Sequence, residues 1–259
     1  MKILDFRSDT VTRPSRGMLD AMLSAKLGDD VFGDDPTVNA LQDAAARLLG
    51  KQAGLFCPSG TMANQVAIKT LTQAGDEVIL DYESHIFRYE VGAAAVVSGL
   101  QFNAITGPGG ILNAAQIEKA IRPVDIHQPA TKLLCLENTH NRAGGVIFPL
   151  DGIKRIAALC KKKKIKLHLD GARLWNASVA TGIGLKEYAK HFDSVMLCFS
   201  KGLGCPVGSV LVGSHDFIER ARRNRKMFGG GMRQAGILAA AGLYALQYNI
   251  KRLAEDHLR

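Results

Sequence analysis

The sequence lacks the cysteine patterns of a disulfide framework or a zinc site. Its 259 residues include five cysteines, an odd number, and no two of them form a CxxC pair. Four of the five lie in or beside apolar runs, so we expect reduced thiols, most of them buried. This pattern favours a cytoplasmic protein over a secreted one.

Long apolar runs are also missing. The first fourteen residues, MKILDFRSDTVTRP, contain no apolar core of signal-peptide length, and no later stretch approaches the length of a membrane span. Internal repeats and low-complexity linkers are absent as well. We therefore expect a chain without a secretion signal or a membrane-spanning segment.

Acidic residues are fewer than basic ones. The chain has 33 Lys and Arg against 24 Asp and Glu, a formal net charge of +9. Much of the excess lies in two short runs, 161–164 and 220–226, on or beside predicted helices. Such a charge permits binding to nucleic acid or an anionic membrane surface, but it also suits an enzyme with a phosphorylated ligand. A solvated helix face is the commoner explanation of such runs, so neither nucleic acid nor a membrane is expected as a partner.

Predicted strands and helices alternate along the chain. This order predicts an α/β fold with a mainly parallel sheet covered by helices on both faces. The polar residues 1–14 predict an N-terminal arm, residues 15–248 one large domain, and residues 249–259 the start of a truncated C-terminal small domain. Among the strand candidates are the neighbouring segments Ala94–Val97 and Phe102–Ile105.

One stretch, residues 194–213, ends a predicted strand at a lysine. Its apolar run Val195–Phe199 stops at Ser200 and Lys201, and a glycine-rich turn leads to a second apolar run. A protonated lysine is not nucleophilic, but burial can lower its pKa enough for Schiff-base formation. The alternative is an ordinary surface lysine in a turn between strands.

A second candidate is the turn formed by Ser59, Gly60 and Thr61, which leads into a predicted helix. Small residues at a helix start leave backbone N–H groups open, and the helix dipole attracts a phosphate. The turn has neither the Walker lysine nor the GxGxxG pattern, so it does not predict a nucleotide. The alternative is a simple capped helix.

Charged and aromatic groups follow other predicted strands. His85 comes after the strand Glu77–Leu80, and Asp170 ends the strand that begins at Lys166, with Arg173 three residues further on. Because ligands bind at the carboxyl ends of strands in open α/β sheets, we expect these groups at one edge. His127 lies in a connection, where a surface histidine is the favoured interpretation.

Together these groups match the needs of pyridoxal 5'-phosphate. Its aldehyde needs a lysine, its pyridine nitrogen needs a carboxylate, and its phosphate needs a helix start with hydroxyl groups. A histidine can stack on its flat ring. Lys201, Asp170, the turn at 59–61 and His85 supply these groups in the sequence.

The chain resembles the low-specificity L-threonine aldolases, of the β-eliminating lyase group within the fold type I pyridoxal-phosphate enzymes. The resemblance covers essentially the whole sequence, and its motifs are dense and ordered. The motifs are DFRSDTVTRP at 5–14, GDDVFGDDPTVNALQ at 28–42, FCPSGTMANQ at 56–65, ESHIF at 83–87, LCLENTHN at 134–141, HLDGARLWNA at 168–177, SKGLGCPVGSVLVG at 200–213 and RKMFGGGMRQAGILAAAG at 225–242.

The resemblance implies a seven-stranded sheet of the aspartate-aminotransferase type and a role for each candidate residue. Lys201 would bind the cofactor covalently, Asp170 would pair with its ring nitrogen, and His85 would stack on the ring. The base would be His85, His127 or a water held by them. The other implied binding residues are Ser59, Gly60 and Thr61 for the phosphate, Lys226 or Arg233 from a neighbouring subunit, and Ser8 and Arg173 for the substrate carboxylate.

The implied reaction is retro-aldol cleavage of L-threonine and L-allo-threonine to glycine and acetaldehyde. The resemblance also implies a cytoplasmic homotetramer with active sites at subunit interfaces, no metal, and a small amino-acid substrate. Two alternatives stay open. One is another fold type I lyase or a racemase acting on a β-hydroxy amino acid. The other is a non-enzymatic polyanion-binding protein, which would bind nucleic acid in a salt-sensitive manner.

Overall fold

The computed structural model describes residues 4–259, and the centre of this part of the chain is a seven-stranded sheet. Six strands coincide with largely apolar, mostly buried segments, as expected for strands between two layers of helices, whereas the edge strand Gln101–Ile105 is only half-buried. The strands are β1 (Ala53–Cys57), β2 (Glu77–Asp81), β3 (Gln101–Ile105), β4 (Thr131–Glu137), β5 (Lys166–Asp170), β6 (Ser194–Cys198) and β7 (Ser209–Gly213).

The strand order is β1-β7-β6-β5-β4-β2-β3. The pairs β2–β3, β2–β4, β4–β5 and β5–β6 are parallel, and only β7 runs antiparallel to its neighbours β1 and β6. The predicted mainly parallel seven-stranded sheet is therefore confirmed.

Helices cover both faces of the sheet, because successive strand residues point to opposite sides. In β1, for example, Phe56 packs into the larger core cluster, whereas Leu55 and Cys57 pack into a second cluster on the other face. The helices are α1 (Arg16–Leu23), α2 (Pro36–Leu49), α3 (Gly60–Leu71), α4 (His85–Arg88), α5 (Ala93–Ser98), α6 (Ala114–Ala120), α7 (Leu150–Lys163), α8 (Leu174–Thr181), α9 (Leu185–Ala189), α10 (His215–Met227), α11 (Gly236–Tyr248) and α12 (Leu253–His257).

The strand predicted at Ala94–Val97 is wrong, since this segment is helix α5. Gly92 and Gly99 flank it in the left-handed conformation, with φ of 66° and 67°. Ala94 and Ser98, four residues apart, are its buried side chains, and Val96 is 82% exposed. The glycine boundaries and the four-residue spacing of buried positions outweigh the strand preference of the valines.

The two ends of the described chain differ in their packing. Residues 4–14 are mostly exposed and include one 3₁₀ turn, Asp9–Val11. At the other end, α12 packs on α8, and Leu253 is 1% exposed within the larger core cluster. The division into an arm, a large domain and the start of a small domain stays a prediction.

Two expectations about composition can be compared with this fold. All five cysteines are buried free thiols, as the apolar sequence around them predicts. Within residues 4–259, no helix combines the length and the apolar character that crossing a bilayer requires.

The sheet register aligns the polar strand ends. Glu137 at the end of β4 pairs with Asp170 at the end of β5, and Asp170 pairs with Met196 of β6. Since these strands are parallel, their carboxyl ends form one edge, where a ligand site is expected.

Candidate active site

A cavity of about 120 Å³ lies at this carboxyl edge. It brings together six of the residues that the sequence predicts for the site. Its lining residues are Thr10, Gly60, Thr61, His85, Glu137, Asp170, Ala172, Arg173, Met196, Cys198, Ser200 and Lys201.

Lys201 enters the cavity from the turn after β6. All five residues of β6 are buried, so the chain leaves the core directly before this lysine. The Lys201 carbonyl accepts hydrogen bonds from the Gly204 N–H at 2.8 Å and from the Thr12 hydroxyl at 2.6 Å. The glycine turn and the N-terminal arm therefore hold the lysine backbone from two sides.

Asp170 is 1% exposed and accepts hydrogen bonds on both carboxylate oxygens. The backbone N–H of Ala172 donates to Oδ1 at 3.1 Å, and the side-chain amide of Asn64 donates to Oδ2 at 2.9 Å. These two donors fix the orientation of the Asp170 side chain at the edge of the sheet. A carboxylate in this position can pair with a positively charged ring nitrogen.

His85 begins α4 beside the cavity. Its Nδ1 lies 3.0 Å from Glu90 Oε1, and its backbone N–H donates to Glu137 at 2.7 Å. The hydrogen bond with Glu90 is the main reason that the pKa of His85 lies above its usual value. Burial and the charge of Lys201 oppose this rise, whereas the negative charge of Asp170 adds to it.

Glu137 is a site residue to which the sequence assigned no role, although it belongs to a polar cluster at a strand end. Its oxygens accept the backbone N–H groups of His85 and Asn141, at 2.7 and 2.9 Å. Burial, followed by the negative charge of Asp170, raises the pKa of Glu137. Glu137 thus fixes the backbone that carries His85.

The turn at 59–61 is the start of the twelve-residue helix α3. The Ser59 hydroxyl caps the helix by accepting the Met62 N–H at 3.2 Å. The N–H groups of Gly60 and Thr61 belong to the first turn, where a helix offers them no internal partner. A Cβ on Gly60 would lie 2.7 Å from Cys198 Sγ, so the backbone approaches the end of β6 more closely than a side chain allows.

Arg173 lines the cavity and already binds a carboxylate of its own chain. Its Nε and Nη2 donate to the two oxygens of Asp9 at 2.9 and 2.7 Å. Ser8, predicted to bind the substrate carboxylate, caps the 3₁₀ turn by accepting the Thr10 N–H. The arm thus places Asp9 against Arg173, a contact that the sequence did not predict, and the Ser8 hydroxyl lies 3.4 Å from Asp9 Oδ1.

Besides Ser8 and Ser59, three other predicted site residues do not line the cavity of their own chain. His127 lies on the connection before β4, toward the opposite edge of the sheet, and its side chain is 82% exposed and bonded to Asp125. Lys226 belongs to the last turn of α10, and Arg233 pairs with Asp29 at 3.0 Å. Roles for these residues in the site of a neighbouring subunit stay predictions.

Ligand atoms of His85, Glu90 and Asp170 lie within 4.8 Å of one another, a spacing that a metal ion could use. However, the amide of Asn64 donates hydrogen bonds to both carboxylates, at 2.8 and 2.9 Å. A donor directed at both acids suits an organic cofactor better than a cation.

A larger cavity, of about 710 Å³, lies at the amino ends of β5 and β6. Lysines from α7, β5 and the neighbouring loops line it, and the Asp193 carboxylate there is already paired with Lys166, at 2.8 Å. Lysines 161–163 belong to the last turn of α7 and Lys164 is its C-cap residue, so their positive charge complements the helix dipole. The smaller cavity is therefore the candidate active site.

Comparison with known proteins gives the same family as the sequence motifs. The beta-eliminating lyase family model matches residues 5–259. The low specificity L-threonine aldolase of Escherichia coli K12 is 53% identical over 256 residues, covering 98% of this chain and 76% of that protein. Low-specificity L-threonine aldolase 1 of Arabidopsis thaliana is 45% identical, covering 99% of this chain and 73% of that protein.

The fold has solved counterparts as well. A threonine aldolase from Leishmania major superposes with a TM-score of 0.86 at 24% identity, over 96% of this chain and 74% of that one. Because the match to the family model spans nearly the whole chain and the identity to its relatives is high, the chain belongs to the β-eliminating lyase family.

Proposed function

We propose that this protein is a pyridoxal-phosphate-dependent threonine aldolase that cleaves the Cα–Cβ bond of L-threonine and L-allo-threonine to give glycine and acetaldehyde. The observation that carries the proposal is the convergence of Lys201, Asp170, His85 and Arg173 on one cavity beside the start of α3. The names of the curated relatives support the same substrate.

The residues around the cavity fit the cofactor. Lys201 would bind it covalently, Asp170 would pair with its ring nitrogen, and His85 would flank the ring. Its phosphate would bind at the start of α3, whose backbone lies close to the end of β6 because residue 60 is a glycine. When bound, pyridoxal phosphate supplies an electron sink for the carbanion that bond cleavage leaves on Cα.

Arg173 is the proposed ligand of the substrate carboxylate. A guanidinium group can bind both oxygens of a carboxylate, and Arg173 does so with Asp9. The substrate can bind the same face of Arg173 only if at least one of the two hydrogen bonds between Arg173 and Asp9 is broken. Ser8 would assist from the arm.

His85 is the proposed base that takes the proton from the β-hydroxyl group. Glu90 holds its Nδ1, so Nε2 is the nitrogen that remains available to accept a proton. A histidine is suited to this step because its pKa lies near neutrality. A water held by His85, or His127 from another copy, remains an alternative base.

A homotetramer with interface sites is part of the proposal. The loop that carries His127 exposes Val124 and Ile126 almost completely, although both side chains are apolar. Contact with a second copy would bury them and bring His127 close to a neighbouring site. Sedimentation equilibrium measures the subunit number.

Two measurements test the proposed reaction. With pyridoxal phosphate added, L-threonine and L-allo-threonine are expected to yield equal amounts of glycine and acetaldehyde. Borohydride reduction followed by peptide mapping is expected to label Lys201, and Lys201→Ala should abolish the label, whereas Lys154→Ala should retain it. Label on another lysine would contradict the site. Racemised amino acid without acetaldehyde would instead favour the racemase alternative.

A further inference from the structure

A buried chain of hydrogen bonds joins Asp170 to Glu90, the residue that contacts His85. Asn64, on the second turn of α3, is fully buried, and its Nδ2 lies 2.8 Å from Glu90 Oε1 and 2.9 Å from Asp170 Oδ2. Its Oδ1 lies 3.1 Å from His168 Nε2, and His168 Nδ1 lies 2.8 Å from the hydroxyl of Ser194. The Asn64 amide therefore connects Asp170 with Glu90, the hydrogen-bond partner of His85.

The orientation of this amide is determined by its surroundings. If it were reversed, Oδ1 would face two carboxylates and the NH₂ group would face His168. Burial lowers the pKa of His168 to about 4, so its ring is neutral near pH 7. The neutral ring then carries its proton on Nε2, donates to Asn64 Oδ1, and accepts from Ser194 on Nδ1.

Each proton of the Asn64 amide thus has one carboxylate acceptor. The amide thus lies between two carboxyl groups whose oxygens are within 4.8 Å of each other. A second amide, from Gln65, donates to Glu90 Oε2, and Glu90 is 1% exposed. Both oxygens of Glu90 therefore accept hydrogen bonds from amides.

These contacts determine which ring nitrogen of His85 carries the proton. Because both oxygens of Glu90 act as acceptors toward the amides, the Nδ1 of His85 donates the proton at its 3.0 Å contact with Glu90 Oε1. The other titratable groups near His85 are Asp170, Glu137, Lys201 and Tyr89, and the Tyr89 ring centroid lies 5.7 Å from that of His85. In neutral His85 the lone pair therefore stands on Nε2.

We infer that Glu90 and Asn64 are positioning residues. Glu90 keeps the proton of neutral His85 on Nδ1, so that Nε2 accepts the substrate proton, and Asn64 holds the side chains of Glu90 and Asp170 in place. This inference rests on the proposed role of His85 in the proposed function. The proton moves from the β-hydroxyl oxygen to Nε2, and Glu90 itself neither gains nor loses one.

The test separates the charge of Glu90 from its role as an acceptor. Glu90→Gln retains an acceptor for Nδ1 and removes the charge, and Gln65, whose Oε1 has no partner among the described residues, can rotate its amide to accept the new N–H. Glu90→Met removes both. Histidine-selective ¹⁵N NMR reports the tautomer and the titration of His85, whose signal is assigned by its loss in His85→Asn.

We expect the Nδ1–H tautomer in the unaltered protein and in Glu90→Gln, with the His85 titration midpoint lower by about one pH unit in the variant. In Glu90→Met the Nε2–H tautomer should gain population. With pyridoxal phosphate and L-threonine, the acid limb of kcat/KM for Glu90→Gln should move to lower pH by the same amount as the midpoint.

Gln65→Met is the matched control, because it removes the other donor to Glu90 without touching His85. It should lower the melting temperature and leave the His85 tautomer unchanged. An unchanged midpoint in Glu90→Gln, or an Nε2–H tautomer in the unaltered protein, would overturn the inference, even if Glu90→Met does not fold. A protein with the expected spectra that does not cleave threonine would contradict only the proposed function.

Discussion

Arg173 and Asp9 form a two-point ion pair between the strand edge and the N-terminal arm, with N–O distances of 2.9 and 2.7 Å. Burial raises the pKa of Asp9, but the hydrogen bond from Arg173 and the charges of Arg173 and Lys201 outweigh it, so the net shift is downward. The arm therefore presents an ionised carboxylate to the group that is proposed to bind the carboxylate of the substrate.

Asp9→Asn should lower the KM for L-threonine. The variant keeps one acceptor for Arg173 but removes the charge that competes with the substrate carboxylate. We expect a decrease of about 3- to 10-fold, equivalent to roughly 1 kcal/mol of binding, with kcat little changed. Initial rates of acetaldehyde formation over a range of threonine concentrations measure both constants.

Asp5→Asn is the control for this prediction. Asp5 lies on the same arm and also pairs with an arginine, Arg7, but that pair is exposed and outside the cavity. It should leave KM unchanged. An increase of KM in Asp9→Asn would mean that Asp9 orients Arg173 for the substrate and does not compete with it.

The sequence predicts the parts of this molecule that depend on local pattern. Lys201 and Asp170 each end an apolar run, and a buried strand that stops at a charged residue indicates a sheet edge. The α5 segment was mispredicted because the left-handed glycines Gly92 and Gly99, more than the intervening valines, determine its conformation.

The contacts that complete the site are distant in sequence. Asn64 and Asp170 are 106 residues apart, and Arg173 and Asp9 are 164 apart. Neither a spacing nor a periodicity indicates such pairs, since they result from how α3 and the arm pack against the sheet edge. Asn64 and Asp9 both lie within the family motifs, but a motif does not say which side chains meet.

Gly60→Ala should weaken cofactor binding. The new methyl group would lie 2.7 Å from Cys198 Sγ and 3.1 Å from the Met196 methyl group, so the start of α3 must move away from the end of β6. Because the proposed phosphate site is formed by this backbone, we expect the affinity for pyridoxal phosphate to fall by about tenfold or more. Titration of the cofactor followed by absorbance measures the affinity.

Gly184→Ala is the matched control. A Cβ there meets no atom within 4 Å, and its φ of −63° is open to alanine. This variant should bind the cofactor with unchanged affinity. If Gly60→Ala bound it equally well, the phosphate would have to lie elsewhere.

In His168→Gln the free energy of unfolding should decrease less as the pH falls below neutral. Burial lowers the pKa of His168 to about 4, below the value of about 6.5 for an exposed histidine. Above about pH 6.5 the ring is neutral in both states and has no effect. As the pH falls below this value, only the unfolded state gains the proton, so the folded state loses up to about 3 kcal/mol of stability by pH 4.

Glutamine can donate to Asn64 and accept from Ser194 without titrating, so the variant should lose less stability than the unaltered protein between about pH 7 and 5. Urea unfolding at several pH values measures the difference. The control His127→Gln alters an exposed side chain, and its profile should parallel that of the unaltered protein. If the free energy of unfolding of His168→Gln depended on pH as it does in the unaltered protein, His168 would have to take up its proton in the folded state as readily as in the unfolded state.

Val91→Gly should stabilise the protein although it removes a side chain. Val91 has a φ of 55°, a left-handed conformation that is costly for a β-branched residue, and it is 95% exposed in a single chain. Relief of about 1 kcal/mol of strain exceeds the added freedom of glycine in the unfolded state, and little packing is lost.

Val96→Gly is the counterpart, because Val96 is also exposed but lies within α5, where glycine should destabilise by roughly 0.5 kcal/mol. Opposite shifts of the urea midpoint are expected for the two variants. A loss of stability in Val91→Gly that grows with protein concentration would instead indicate that Val91 is buried against another copy.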